Sequence, residues 1–150
     1  MTPEHCAEML RDGDPDRFAS VMAAQPGDRA RLATLYAANL EIARAALASA
    51  EPLISQMRLQ WWTDQIAAIV AGRAPASHEV ITPLAAAWGA DIAPLADLVE
   101  ARHRDGLREP FDIPAEVIAH VDGCTGAVMG LASLACGLPP SDLVRDQARG

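Results

Sequence analysis

The stretch LYAANLEIARAALASAEPLISQMRLQWWTDQIAAIVAG, residues 35–72, decides the fold. With Leu32 just ahead of it, Leu35, Tyr36, Asn39, Leu40, Ala43 and Leu47 recur at three- and four-residue spacing, the period of an amphipathic helix. Glu51-Pro52 restarts the pattern, with proline suited to a first helical turn, and Gly72 suits a helix end. The spacing predicts helices over 28–49 and 52–71. The second carries two stripes, one of Ile54, Met57, Trp61 and Ala68, the other of Leu59, Trp62, Ile66 and Ile69, and is therefore expected at the centre of a bundle. Trp61 and Trp62 point about 100° apart on a helix, so one face cannot bury both equally. One belongs to the core, and its neighbour to a second helical layer, a pocket wall or an interface.

The same signals continue on either side. Asp14-Pro15 opens a short helix bearing Phe18, Val21 and Met22, which Gln25-Pro26-Gly27 breaks, and Asp28 is placed to cap the next. No element is read before Asp14. Ser77 is expected to cap a helix over 78–88, Asp91 one over 91–106, and Pro114 to begin one over 115–136 after a linker at 109–113. Ser141 caps a last segment, SDLVRDQARG, that stops after two turns without completing an apolar face. The expected architecture is all-α, an antiparallel helical bundle in one domain over 1–150, reading like the front part of a larger helical domain.

Composition agrees. The 150 residues include 31 alanines, 12 arginines and no lysine, and β-branched residues are sparse. A net charge of −8, with arginines dispersed among acids, excludes a nucleic-acid partner. The N-terminal MTPEHCAEMLRDGD is acidic and polar, unlike a secretory signal. Cys6, Cys124 and Cys136 are odd in number and far apart, which fits reduced thiols in a cytoplasm. The uncharged run at 123–141 has its helical part stopped by Pro139-Pro140, short of the ~20 residues that a membrane span needs. It is expected to be a buried helix whose Gly126 and Gly130 admit a close neighbour, so the chain is not transmembrane.

Motif chemistry is thin. His120, Asp122 and Cys124 place only His120 and Cys124 on one helix face, too few for zinc. No nucleophile elbow, phosphate loop, dinucleotide fingerprint or zincin motif occurs, and Ser133 and Cys136 lack a base. His103 and Asp105 read as a charge cluster.

The order of residues over 35–72 resembles the squalene/phytoene synthase family, the all-α head-to-head prenyl transferases. The likeness continues in LADLVEARHRDGL and VIAHVDGCTGAVMGLASLACG and reaches back to DPDRFASVMAAQPGDRARLATLYA. Around EIAR, EP and RLQWW it is nearest to the branch containing a mitochondrial assembly factor for respiratory complex I. In the family's active enzymes an acidic D-D-x-x-D motif follows LYA and holds magnesium ions that bind the substrate diphosphate, as hard cations bind oxygen ligands. Carried onto this chain, its acids fall at Ala43, Arg44 and Leu47. The family's second acidic motif lies on a later helix, and His120 stands where a tyrosine is frequent. The resemblance implies a partial isoprenoid-synthase fold with a ligand or cavity surface drawn from Tyr36, Asn39, Leu40, Ala43, Arg44, Leu47, Arg58, Trp61 and Asp105. It implies no catalytic residue, no metal and no cofactor. The function implied is a non-catalytic protein acting by protein contact, in the assembly of a membrane complex, cytoplasmic and at the membrane surface. Two alternatives stand: a transferase condensing prenyl diphosphates, with magnesium held by residues such as Glu41, Glu51 or Asp105, and an isoprenoid-lipid binding protein.

Overall fold

The computed structural model describes residues 1–149, and among them no strand forms. The helices are α1 (Pro3–Gly13), α2 (Pro15–Ala23), α3 (Arg29–Leu47), α4 (Pro52–Val70), α5 (Ile81–Trp88), α6 (Leu95–Leu107), α7 (Pro114–Val121), α8 (Ala127–Ala135) and α9 (Asp142–Arg149). A 3-10 turn, Gly89–Ile92, precedes α6, and a π-turn, Asp122–Gly126, joins α7 to α8.

The central helix is α3, not α4 as the two-striped pattern suggests. Ten of its 19 residues are buried, among them Leu35, Ala37, Ala38 and Ile42 at 0% exposure. Helices α1, α2, α4, α5, α6 and α8 all pack against it. Alanine makes this tolerable: a helix with methyl-sized side chains lets neighbours approach on every side with little side-chain entropy lost. Helix α4 buries only the stripe of Ser55, Leu59, Trp62, Ile66 and Ile69. Its other stripe stays at the surface, with Met57 65% exposed. Small residues also set the α3–α4–α6 junction. A methyl on Gly106 would lie 3.3 Å from Ser55 Cβ and 3.5 Å from the Ala46 carbonyl oxygen.

Helix α1 was not anticipated. Thr2 accepts a bond from the His5 N–H at 3.3 Å, Pro3 occupies the first turn, and Cys6 and Leu10 are wholly buried on the side packed against α3. The starts of several helices also differ from expectation. Asp14 does cap α2, through a bond from the Arg17 N–H at 3.2 Å, and Ser141 caps α9 through the Val144 N–H at 3.3 Å. Asp28 has helical backbone angles and makes no capping bond. Ser77 does not cap α5. The imidazole of His78 does so, its Nδ1 accepting from the Val80 N–H at 3.2 Å. Asp91 lies in the 3-10 turn and pairs instead with Arg31 at 2.8 Å, while α6 begins at Leu95 behind Pro94. That pair belongs to a latch between α3 and α5. Arg31 Nε donates to the Ala87 carbonyl at 3.0 Å, and Trp88 Nε1 donates to the Arg31 carbonyl at 3.1 Å.

The helical run Pro114–Ala135 has 22 residues and is long and apolar enough to cross a membrane by length and composition. Its extent is that expected over 115–136; the part ahead of the uncharged run brings it past the ~20 residues of a span, and it is less buried than expected. No residue of α7 is buried, and only Val128, Leu131, Ala132 and Ala135 of α8 are. Gly126 and Gly130 are not contact points, since a methyl at either would meet nothing within 4 Å. The close approach is at Gly123, where a methyl would lie 2.7 Å from Ala101 Cβ of α6. Helix α9 buries no residue and is held by polar bonds: Arg149 donates to both Asp122 carboxylate oxygens at 2.6 Å, and Thr125 Oγ1 donates to the Ala148 carbonyl at 3.0 Å.

Candidate functional site

The nine residues expected to contact a ligand or line a cavity divide among three places and the core. The largest share gathers between α3 and α4. A groove of about 350 Å³ is lined by Glu41, Arg44 and Ala45 from α3, by Ala48 at its C-terminal cap and by Arg58, Trp61 and Trp62 from α4, with His78 closing one side. Its aromatic wall is a three-ring cluster. Trp61 and Trp62 meet edge to face at 5.5 Å between centroids, and His78 stands 5.1 Å from Trp61 and 5.9 Å from Trp62. Trp62 is 4% exposed and anchors the core, while Trp61 is half-buried and turns its surface to the groove. Because His78 Nδ1 accepts backbone N–H groups, its Nε2 carries the ring's hydrogen. The α5 cap thereby orients the third ring.

Charge in the groove is unevenly matched. Arg44 Nη1 bonds Glu41 Oε1 at 2.9 Å, an i,i+3 pair on α3. Arg58 is exposed and makes no ion pair or hydrogen bond among the described residues. Alongside runs an apolar trough of about 460 Å³, floored by Leu40, Ala43, Leu47 and Ala48 and sharing Arg44 and Ala48 with the groove. Leu40, Ala43, Arg44, Leu47, Arg58 and Trp61 are therefore one surface.

Tyr36, Asn39 and Asp105 are not part of it. Tyr36 faces α2, α8 and α9, with the Arg17 guanidinium 5.6 Å from its ring. Burial pushes its phenol upward, and Arg17 partly offsets this. Asn39 is buried in α3 at 6% exposure. Asp105 joins a cluster on α6 and α7: Arg102 Nη1 bonds its Oδ2 at 2.6 Å and His120 Nε2 its Oδ1 at 3.1 Å. Cys124 Sγ lies 3.6 Å from the same His120 nitrogen, and burial pushes its thiol upward. Asp122, the third member of the sequence cluster, is drawn away to Arg149, whose guanidinium holds its carboxyl below the usual range. Among the described residues no three His, Cys, Asp or Glu side chains come together to hold a metal ion.

A larger cavity, about 480 Å³, lies elsewhere, beneath α9 and lined by residues such as Gly126, Gly130, Leu131 and Leu134. The α3–α4 groove is the better candidate site, because an unpaired cation, Arg58, and a partly exposed indole converge there, whereas the cation Arg149 at the edge of the larger cavity is already paired with Asp122. Sequence reasoning missed His78, Trp62 and Glu41 as groove residues. Glu41 and Trp62 were visible as neighbours of Arg44 and Trp61, but no spacing signals that a loop histidine folds back over them.

A magnesium ion does not fit the positions that the family's acids would occupy. Ala43 and Leu47 offer hydrocarbon, and Arg44 offers a cation. The family model for squalene/phytoene synthase matches residues 10–149. No curated protein and no solved structure matches the chain. With nearly its whole length matched, the chain belongs to the squalene/phytoene synthase family.

Proposed function

We propose that this member of the squalene/phytoene synthase family is non-catalytic and works by contact with a protein partner, in the assembly of a membrane complex, from the cytoplasm at the membrane surface. One observation carries the reading: the trough offers Ala43, Arg44 and Leu47 where magnesium-binding acids would stand, and Arg44 is held in an ion pair with Glu41. A prenyl diphosphate leaves only when its several negative charges are neutralised. Carboxylate-held metal supplies this in the transition state. A guanidinium that binds the ground state equally well gives no acceleration. Losing one metal clamp removes several kcal/mol of transition-state stabilisation, at ~1.4 kcal/mol per tenfold in rate. The exposed apolar residues of α7 and its approach, including Ile113 at 55% and Ile118 at 52%, support action by contact.

Incubation with labelled farnesyl and geranylgeranyl diphosphate, with and without magnesium, tests the proposal. The expected result is no condensation in either case, with the helical circular dichroism intact. Magnesium-dependent turnover that disappears in Glu41→Ala or Asp105→Ala would overturn it and make this chain a transferase with its metal held by other acids.

A further inference from the structure

We propose that the α3–α4 groove binds, without metal, a single amphiphile with a monoanionic head, a long-chain carboxylate. The inference is independent of the partner-contact reading. It starts from charge. Two guanidinium groups, Arg44 and Arg58, and one carboxylate, Glu41, line the groove. Arg44 is matched by Glu41 at 2.9 Å, so one positive charge, that of Arg58, stays uncompensated in a chain of net charge −8. A guanidinium presents paired N–H donors that match a carboxylate in a bidentate fork. Glu41 sets the upper limit on charge: a head carrying two or three negative charges would meet a carboxylate already in place.

The remaining walls suit an amphiphile rather than a free ion. Trp61, half-buried and backed by Trp62 and His78, gives the groove an aromatic side that keeps water from one flank of the head. The trough of Leu40, Ala43, Leu47 and Ala48 continues from the groove through their shared Arg44 and Ala48. Leu47 is 59% exposed there, a large side chain left uncovered in the trough that adjoins the groove holding Arg58. A chain laid along it gains roughly fourfold in affinity per buried methylene. The two spaces, about 350 and 460 Å³, fall within the range of small-molecule sites.

Tryptophan emission reports the site directly, since Trp61 and Trp62 both line it. The protein is titrated with dodecanoate and farnesyl diphosphate below their micelle concentrations and with dodecanol below its solubility limit, all in EDTA. Saturable binding of dodecanoate is expected, at least tenfold tighter than dodecanol. Arg58→Gln should bring dodecanoate down to the dodecanol level, and Leu47→Glu should weaken both ligands. Both side chains are at the surface, and circular dichroism checks that the variants stay folded. Binding of dodecanoate that is unchanged in Arg58→Gln would overturn the proposal. So would farnesyl diphosphate binding more tightly than dodecanoate in EDTA. Sedimentation with phosphatidylcholine vesicles containing oleate, without binding of dispersed dodecanoate, would overturn it too, by assigning the surface to a bilayer.

Discussion

Trp61 and Trp62 differ by one position and by most of their surroundings. Trp62 is 4% exposed in the core, so Trp62→Ala is expected to cost about 3–5 kcal/mol in urea unfolding. Trp61→Ala should cost less than half as much while abolishing most of the groove's ligand-dependent emission. The sequence showed that the pair could not share one face. It could not show which ring faces inward, because both of α4's stripes are apolar and the choice is made by where α3 lies. Arg44 was legible for the opposite reason: its significance depends on its order behind LYA, which needs no third dimension. That Tyr36 and Asp105 lie apart from the groove could not be read, because linear order carries no information on which helix faces meet. Burial also leaves a hydroxyl without a partner at Ser55 Oγ. Ser55→Ala should raise stability by about 1 kcal/mol, seen as a higher urea midpoint with unchanged slope. The buried Cys6 thiol is pushed up from 9.0 to about 11. The unfolded chain then ionises before the folded one, so the stabilisation is complete below pH 9 and is lost as pH rises toward 11. Thermal midpoints should fall across that window, and fall less in Cys6→Ala.

At the scale of elements, helices with strong apolar periods were read to within a few residues, as in α3 and α4, while those fixed by other means were not. Helix α1 has only two fully buried side chains, Cys6 and Leu10, and its acidic surroundings hid a pattern that was present once Thr2-Pro3 is taken as a start signal. The cap of α5 went to His78 rather than Ser77 because a loop bent the imidazole back over the helix start, a tertiary event. Helix α7 to α8 was read as one helix and runs through a π-turn, which a hydropathy pattern does not mark. The glycines of this run give the clearest test of what was missed. Gly123 faces Ala101 Cβ with room for no methyl, whereas Gly130 faces open space. Gly123→Ala is expected to lose about 1–3 kcal/mol as α6 is pushed away. Gly130→Ala should be neutral or gain up to about 1 kcal/mol, because alanine restricts the unfolded chain and favours the helix. Paired thermal melts of the two variants would separate them. Equal effects would mean that close approach, rather than helix propensity, had been misassigned.

On the scale of the whole molecule, the two faces of the fold are unequally finished. Six other helices pack against α3 and bury most of it, leaving open the trough at its C-terminal end. Around α7 the packing is open: Phe111, Ile113, Val117 and Ile118 are 37–55% exposed and sit together around one shallow depression. A contiguous apolar patch of this kind costs free energy in water and is relieved by contact with a like surface, at about 25 cal/mol for each Å² covered. Repulsion at net charge −8 opposes assembly but is screened within about 8 Å at physiological ionic strength, so it weakens association without preventing it. Self-association through the patch would be isologous, the same residues facing themselves across a two-fold axis. The protein is therefore expected to dimerise with rising concentration in sedimentation velocity, and more strongly as salt is added. It should also bind an apolar surface dye. Ile118→Glu places a charge at the centre of the patch on a side chain already 52% exposed. It should abolish both the dimer and the dye signal while leaving the thermal midpoint of the dilute protein within a degree or two, since no core contact is lost. A monomer at every concentration with no dye binding would show the patch to be too small to drive contact, and would weaken the case that this face meets a protein partner.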